Sequence, residues 1–200
     1  MKVLDLFSGG KSLQKPCKDL GHEYFSIDVD PTNKPDMVAD IGKINFRNIP
    51  FNPDVIWASP PCTCFSVSSI GKHWNVNNTP KTKEAEEAVE LVEYLLFLIY
   101  MIPHKYYFIE NPRGKLRKLP VMMGLNRKTV TYCQYGDDRM KPTDIWTNCL
   151  NWKPRLMCKN GDPCHTPAPR GSRTGTQGRL LIDKWKVPYQ LLVEILGACL

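Results

Sequence analysis

Met1-Lys2-Val3-Leu4-Asp5-Leu6-Phe7-Ser8-Gly9-Gly10 opens the chain with a short apolar run that stops at a turn of small residues. A run of that length reads as a buried strand meeting a tight turn. The same pattern recurs downstream. Glu23 to Val29 is a second strand closed by Asp30-Pro31, and Met37 to Ala39 a short third ending at Asp40. Asp54 to Ala58 is a fourth, running into Ser59-Pro60-Pro61-Cys62, and Tyr106 to Ile109 a fifth, running into Glu110-Asn111-Pro112. Lys128 to Cys133 and Asp144 to Trp146 are two more, read as a hairpin. Between them lie helical patterns at Ser12 to Leu20, Lys83 to Met101 and Pro188 to about Ala198, the second with an acidic first turn that suits the helix dipole. A polar, Asn-rich loop is expected from Gly71 to Thr82. Strands alternating with helices predict an α/β domain built on a mostly parallel, doubly wound sheet with helices on both faces.

Two hundred residues fit one such domain, residues 1–200, with little left for a second. No stretch approaches the roughly 20 apolar residues that span a bilayer. The amino terminus enters a strand directly and carries Asp5, unlike a secretory signal. Eight cysteines without such a signal predict a reducing, cytoplasmic setting. A formal charge of +7 suggests a polyanionic partner. The positive charge gathers in two groups: Arg113, Lys115, Arg117, Lys118, Arg127 and Lys128, and later Arg155, Lys159, Arg170, Arg173 and Arg179.

In a doubly wound sheet, ligands bind beyond the carboxyl ends of the strands. That edge collects Ser8-Gly9-Gly10, Asp28 and Asp30, Asp40, Pro61-Cys62 and Glu110-Asn111. Glycines after the first strand let the backbone approach a ligand, and an acid about 20 residues on, here Asp28, suits a ribose hydroxyl. A P-loop is a poor alternative, because Asp5 stands where its first glycine belongs. Two prolines orient Cys62, which makes that thiol a candidate nucleophile. Glu110 closes an apolar strand, a costly place for a carboxylate with no work or partner; Arg113 is the partner a purely structural role would use.

Three motifs in order resemble the DNA cytosine-5 methyltransferase family: DLFSGG (Asp5 to Gly10), the proline-cysteine step in SPPCTCFS (Ser59 to Ser66), and FIENP (Phe108 to Pro112). Weaker echoes are Asp28, Asp40 in ADI, and Gln134 through Arg139 to Lys141. The resemblance implies a Rossmann-like class I fold and S-adenosylmethionine as cofactor. It places that cofactor against Asp5, Phe7, Ser8, Gly9, Gly10, Asp28, Val29, Asp40, Ile41 and Pro60. It implies that Cys62 adds to carbon 6 of cytosine, that Glu110 contacts ring nitrogen 3 and the exocyclic amine, and that Arg139 holds the base. DNA is the expected partner, single-stranded or duplex, with Ser66, Arg113, Lys141, Arg170 and Arg173 as contacts. The same chemistry on RNA, a modified sulfonium cofactor, or a non-catalytic nucleic-acid-binding protein are the alternatives. The chain departs from the family at Lys11, Thr63-Cys64 and Pro112, and it has no room for a large target-recognition region.

Residues 149–178 show no periodicity, an irregular segment rich in cysteine, glycine and basic residues. Cys149, Cys158, Cys164 and His165 invite a zinc reading, but no C-x-x-C spacing is present and Cys164-His165 is an awkward adjacent pair. Free thiols in a loop, with no metal, are the expectation.

Overall fold

The computed structural model describes residues 1–167 and 185–200. Seven strands follow in chain order: β1 (Lys2–Leu6), β2 (Glu23–Asp28), β3 (Met37–Val38), β4 (Val55–Ala58), β5 (Tyr106–Pro112), β6 (Arg127–Thr131) and β7 (Pro142–Thr147). They form one sheet in the order β3-β2-β1-β4-β5-β7-β6. The pairs from β3 to β5 are parallel, whereas β7 lies antiparallel between β5 and β6. Four helices accompany them among the described residues: α1 (Gln14–Asp19), α2 (Ile70–His73), α3 (Lys83–Met101) and α4 (Tyr189–Gly197).

The two-residue period of the strands divides the core into two halves. Leu4, Leu6, Ile56, Ala58 and Ile109 face one side, where Ala85, Val92, Leu95, Leu98 and Ile99 of α3 cover them. Val3, Val55, Trp57 and Phe108 face the other, under Cys17 of α1 and Leu191, Leu192, Ile195 and Leu196 of α4. Helices therefore cover both faces, as the alternation predicts. α3 starts where Thr82 caps the amide of Ala85, and its buried positions repeat at helical spacing. No described helix is long and apolar enough to cross a membrane.

Several boundaries differ from the sequence reading, among them those of β5, β6 and α2. β5 continues past Ile109 to Pro112, because β7 pairs with it as far as Pro112 opposite Thr143. Glu110 is thus held within a strand rather than released at its end. β6 ends at Thr131, and Tyr132 to Tyr135 form a 3-10 turn. The polar loop from Gly71 contains most of the short helix α2.

Candidate active site

The turn after β1 is held in an uncommon backbone conformation. Phe7, Gly9 and Lys11 all have positive φ, at 59°, 44° and 52°. For a phenylalanine that is a costly geometry, of the kind kept where function demands it. It breaks the strand alternation, and Phe7 packs on the α3 side next to Leu6. The Gly9 amide donates to Asp28 Oδ2 at 2.8 Å, tying the ends of β1 and β2. Asp28 Oδ1 accepts from the Asp30 amide at 2.9 Å, and Val29 between them is exposed. The Ser8 hydroxyl is buried and has no hydrogen-bond partner among the described residues. Asp40 is exposed, caps the Gly42 amide and pairs with Lys43, while Ile41 is buried in the core. A cavity of about 500 Å³ opens beside this turn, lined by Gly10, Lys11 and Ser12, by Tyr135 to Asp137 and by Val187 to Gln190. That volume is within the range of small-ligand sites.

Asp5 sits deeper than the motif suggests. It belongs to the alternation that places Val3 under α1 and α4, and the Tyr24 hydroxyl donates to its Oδ2 at 2.7 Å. Burial, chiefly, pushes its carboxyl up to about 7, and the nearby charge of Asp28 adds to the rise.

At the next strand end, Cys62 opens a tight turn whose carbonyl accepts from the amides of Phe65 and Ser66 at 3.0 and 2.9 Å. The Asn111 side chain donates to the Pro60 carbonyl at 2.9 Å, locking the proline pair to β5. Cys62 is half-buried, whereas Cys64 is buried in the α3-side core, its carbonyl taken by the Trp74 indole. The chain thus offers one sulfur at this edge, not two. Burial first, and the Glu110 carboxylate second, push the Cys62 thiol above its ordinary value; the Lys141 ammonium pulls it back. Burial likewise depresses Lys141, with Glu110 opposing.

Glu110 is buried, and its partner is the Tyr132 hydroxyl, which donates to Oε1 at 2.8 Å. Arg113, the expected structural partner, is exposed at the end of β5. Arg139 is buried against Asp137 (Nε to Oδ1, 2.7 Å), with its guanidinium carbon 5.8 Å from the centre of the Tyr132 ring. Lys141 Nζ lies 4.6 Å from the centre of the same ring. Cys62, Glu110, Tyr132, Arg139 and Lys141 therefore form one neighbourhood. Four of these five are legible in the sequence, with Lys141 read there as a nucleic-acid contact. Tyr132 is not, and its signal is the end of β6 next to the antiparallel β7.

Ser66 is half-buried in a cluster of hydroxyls with Ser68 and Ser69. Arg170 and Arg173 lie outside the described residues. Much of the first basic group turns out to be engaged internally. Lys115 is buried and donates to Asn78, Arg117 pairs with the buried Asp144 at 2.9 Å, and Lys128 donates to the Cys149 carbonyl. The cysteine grouping also changes. Cys149 is buried with its sulfur toward the Ala198 carbonyl, and Cys133 takes its place beside Cys158, Cys164 and His165.

Known proteins share this architecture. No protein-family model matches the chain. A probable DNA (cytosine-5)-methyltransferase of Frog virus 3 (isolate Goorha) is 27% identical over an alignment 227 positions long, gaps included, that spans the whole of both chains. Among solved structures, the methyltransferase EhMeth of Entamoeba histolytica aligns with a TM-score of 0.56 at 18% identity, over 80% of this chain and 57% of that one. The S. pombe Dnmt2 methyltransferase aligns with a TM-score of 0.51 at 17% identity, over 74% of this chain and 50% of that one. The chain thus spans about half the length of these structural neighbours. Its fold is the Rossmann-like fold of class I S-adenosylmethionine-dependent methyltransferases.

Proposed function

We propose that this chain transfers the methyl group of S-adenosylmethionine to carbon 5 of cytosine in DNA, with Cys62 as a covalent nucleophile. The observation that carries the reading is the set of residues around one sulfur. Cys62 follows β4, Glu110 lies in the neighbouring β5, and Lys141 leads into β7, with both charges acting on the thiol. The viral relative, named a probable DNA (cytosine-5)-methyltransferase, supports the choice of base and nucleic acid.

The cofactor fits the first turn. Gly9 has no side chain to obstruct it, the buried Ser8 hydroxyl lacks a partner among the described residues, and Asp28 and the exposed Val29 stand alongside. When bound there, the cofactor supplies an electrophilic methyl group. The residues of the chain do the rest. The Cys62 thiol gives up its proton to solvent and the thiolate adds to carbon 6 of the base, which pushes an electron pair through carbon 4 onto nitrogen 3 and makes carbon 5 enamine-like. Lys141 favours that thiolate electrostatically. Glu110, held through Oε1 by Tyr132, uses Oε2 to accept from the exocyclic amine and to deliver the proton that nitrogen 3 takes up as negative charge develops there, and it takes that proton back when the ring is restored. Arg139 closes the same side through its contact with the Tyr132 ring. After methyl transfer, loss of the carbon-5 proton to a base expels the Cys62 thiolate and restores the ring. The cytosine must leave the stack to reach these groups. Arg113, exposed after β5, would contact a backbone phosphate in this reading.

The test is a trapped adduct. With 5-fluorocytosine in the DNA, no base can abstract the group at carbon 5, and the covalent complex persists after methyl transfer. We expect a denaturation-resistant protein–DNA band that needs S-adenosylmethionine, disappears in Cys62→Ser, and survives in Cys64→Ser at whatever fraction of the protein remains folded. A Cys62→Ser protein that methylates DNA at near wild-type rate would refute the mechanism.

A further inference from the structure

Outside that site, four metal-ligating side chains converge. Cys133 Sγ, Cys158 Sγ, Cys164 Sγ and a ring nitrogen of His165 all lie within 4.8 Å of one another. Cys133, Cys158 and His165 are buried. Zinc bonds of about 2.3 Å to sulfur and 2.0–2.1 Å to nitrogen imply tetrahedral edges of roughly 3.8 Å between sulfurs and 3.6 Å from sulfur to nitrogen. The structure has Cys133 to Cys164 at 3.7 Å, Cys158 to His165 Nδ1 at 3.8 Å, and Cys164 to His165 Nδ1 at 3.6 Å. Cys133 and Cys158 lie 2.9 Å apart, inside that edge but well outside the roughly 2.05 Å of a disulfide.

His165 adds an independent observation. Among the described residues its buried Nε2 has no hydrogen-bond partner, and its Nδ1 faces the Cys158 and Cys164 sulfurs. Sulfur is a weak hydrogen-bond partner for a ring nitrogen, so a metal at Nδ1 would give that atom a far stronger bond, with the ring proton carried on Nε2. We propose that Cys133, Cys158, Cys164 and His165 hold a structural zinc ion. Binding releases three protons, one from each thiol, and takes His165 as the neutral imidazole. Four protein ligands close the tetrahedron and leave no open position for substrate, so the ion is structural rather than catalytic.

The site has a clear mechanical position. Residues 149–167 contain no helix or strand, yet hydrogen bonds pin the arm to the rest of the fold, among them the Arg155 amide to the Tyr135 hydroxyl (2.9 Å), the Cys158 amide to Thr131 Oγ1 (3.1 Å), and the Thr166 amide to the Asp138 carbonyl (2.9 Å). Zinc would fasten that arm to the 3-10 turn carrying both Cys133 and Tyr132, the residue that orients Glu110. This inference stands whether or not the methyl-transfer reading does.

Elemental analysis of the full chain, purified without chelator, tests it. We expect one zinc per chain, retained in Cys149→Ser and lost in Cys133→Ser and Cys158→Ser. If those two variants do not fold, cobalt exchanged into the wild-type protein provides the readout, with the visible absorption of tetrahedral thiolate ligation expected. Absence of stoichiometric metal, iron in place of zinc, full zinc occupancy in a folded Cys133→Ser protein, or a Cys133–Cys158 disulfide in the unreduced chain would each overturn the proposal.

Discussion

Two opposite charges act on the Cys62 sulfur, and their balance sets how readily it becomes a thiolate. Burial and the Glu110 carboxylate hold the thiol above its ordinary value, and Lys141 works against them. Removing Lys141 should therefore raise the thiol further, and removing the Glu110 charge should lower it. In Lys141→Gln the pH midpoint for alkylation of Cys62 by iodoacetamide should move up; in Glu110→Gln it should move down. Rates near neutrality should differ by roughly threefold to tenfold in each direction, since a pKa change of one is a factor of ten. A change of access alone would scale the rate without moving the midpoint. Coincident midpoints in the three proteins would remove Lys141 from this role. At this scale the sequence was legible where a residue is marked by its own neighbours. Two prolines pick out Cys62, and an apolar strand picks out Glu110. Tyr132 carries no such mark, because its partner lies 22 positions away and is reached only through the sheet.

The element that aims Cys62 is the loop after β4, and its seat is a glycine. A Cβ at Gly114 would lie 2.2 Å from the Phe65 carbonyl oxygen, so the backbone of the segment after β5 runs directly against that loop. The Lys115 amide donates to the same oxygen at 2.7 Å, and the Phe65 amide donates back to the Cys62 carbonyl at 3.0 Å. One hydrogen-bonded chain thus runs from Lys115, next to Gly114, to the nucleophile. Gly114→Ala must push two backbones apart, a change that typically costs about 1–3 kcal/mol. We expect a lower melting temperature and slower adduct trapping, with the heat-stable fraction showing the rate defect. A variant that matches the wild type in both would mean the seat is unimportant. The strands and α3 were legible because their periodicity is local: α3 repeats its buried face over nineteen residues and starts at a capping threonine. The length of β5 was not, because only its pairing with β7 carries it beyond Ile109. The cysteine cluster was obscured for the same reason, since Cys133 lies 25 residues before Cys158 and reads in sequence as the end of a strand.

Across the whole molecule, the charge of +7 was legible as a number but not as a distribution. Lys115, Arg117 and Lys128 serve internal contacts, which their positions along the chain do not reveal. The acidic residues hold the stronger consequence for stability. Asp5 is buried in the sheet with its carboxyl pushed up to about 7, whereas an unfolded chain titrates aspartate near 3.9. Between those values the folded state keeps a proton that the unfolded state has lost. The unfolded state binds fewer protons there, so unfolding free energy falls as pH rises through the window. The contribution is fully present below about pH 4, and it is gone above about pH 7. A carboxyl raised that far loses roughly 4 kcal/mol of stability across the window, as an upper bound. Asp5→Asn removes the titration and keeps an oxygen to accept from the Tyr24 hydroxyl. Urea unfolding, without added cofactor, should find this variant more stable than the wild type at pH 8 by roughly 2–4 kcal/mol. The two should converge as pH falls toward 4, where the wild-type carboxyl is neutral in both states. Parallel curves from pH 4 to pH 8 would show that Asp5 ionises freely in the folded protein, and that its place beneath the first turn costs nothing.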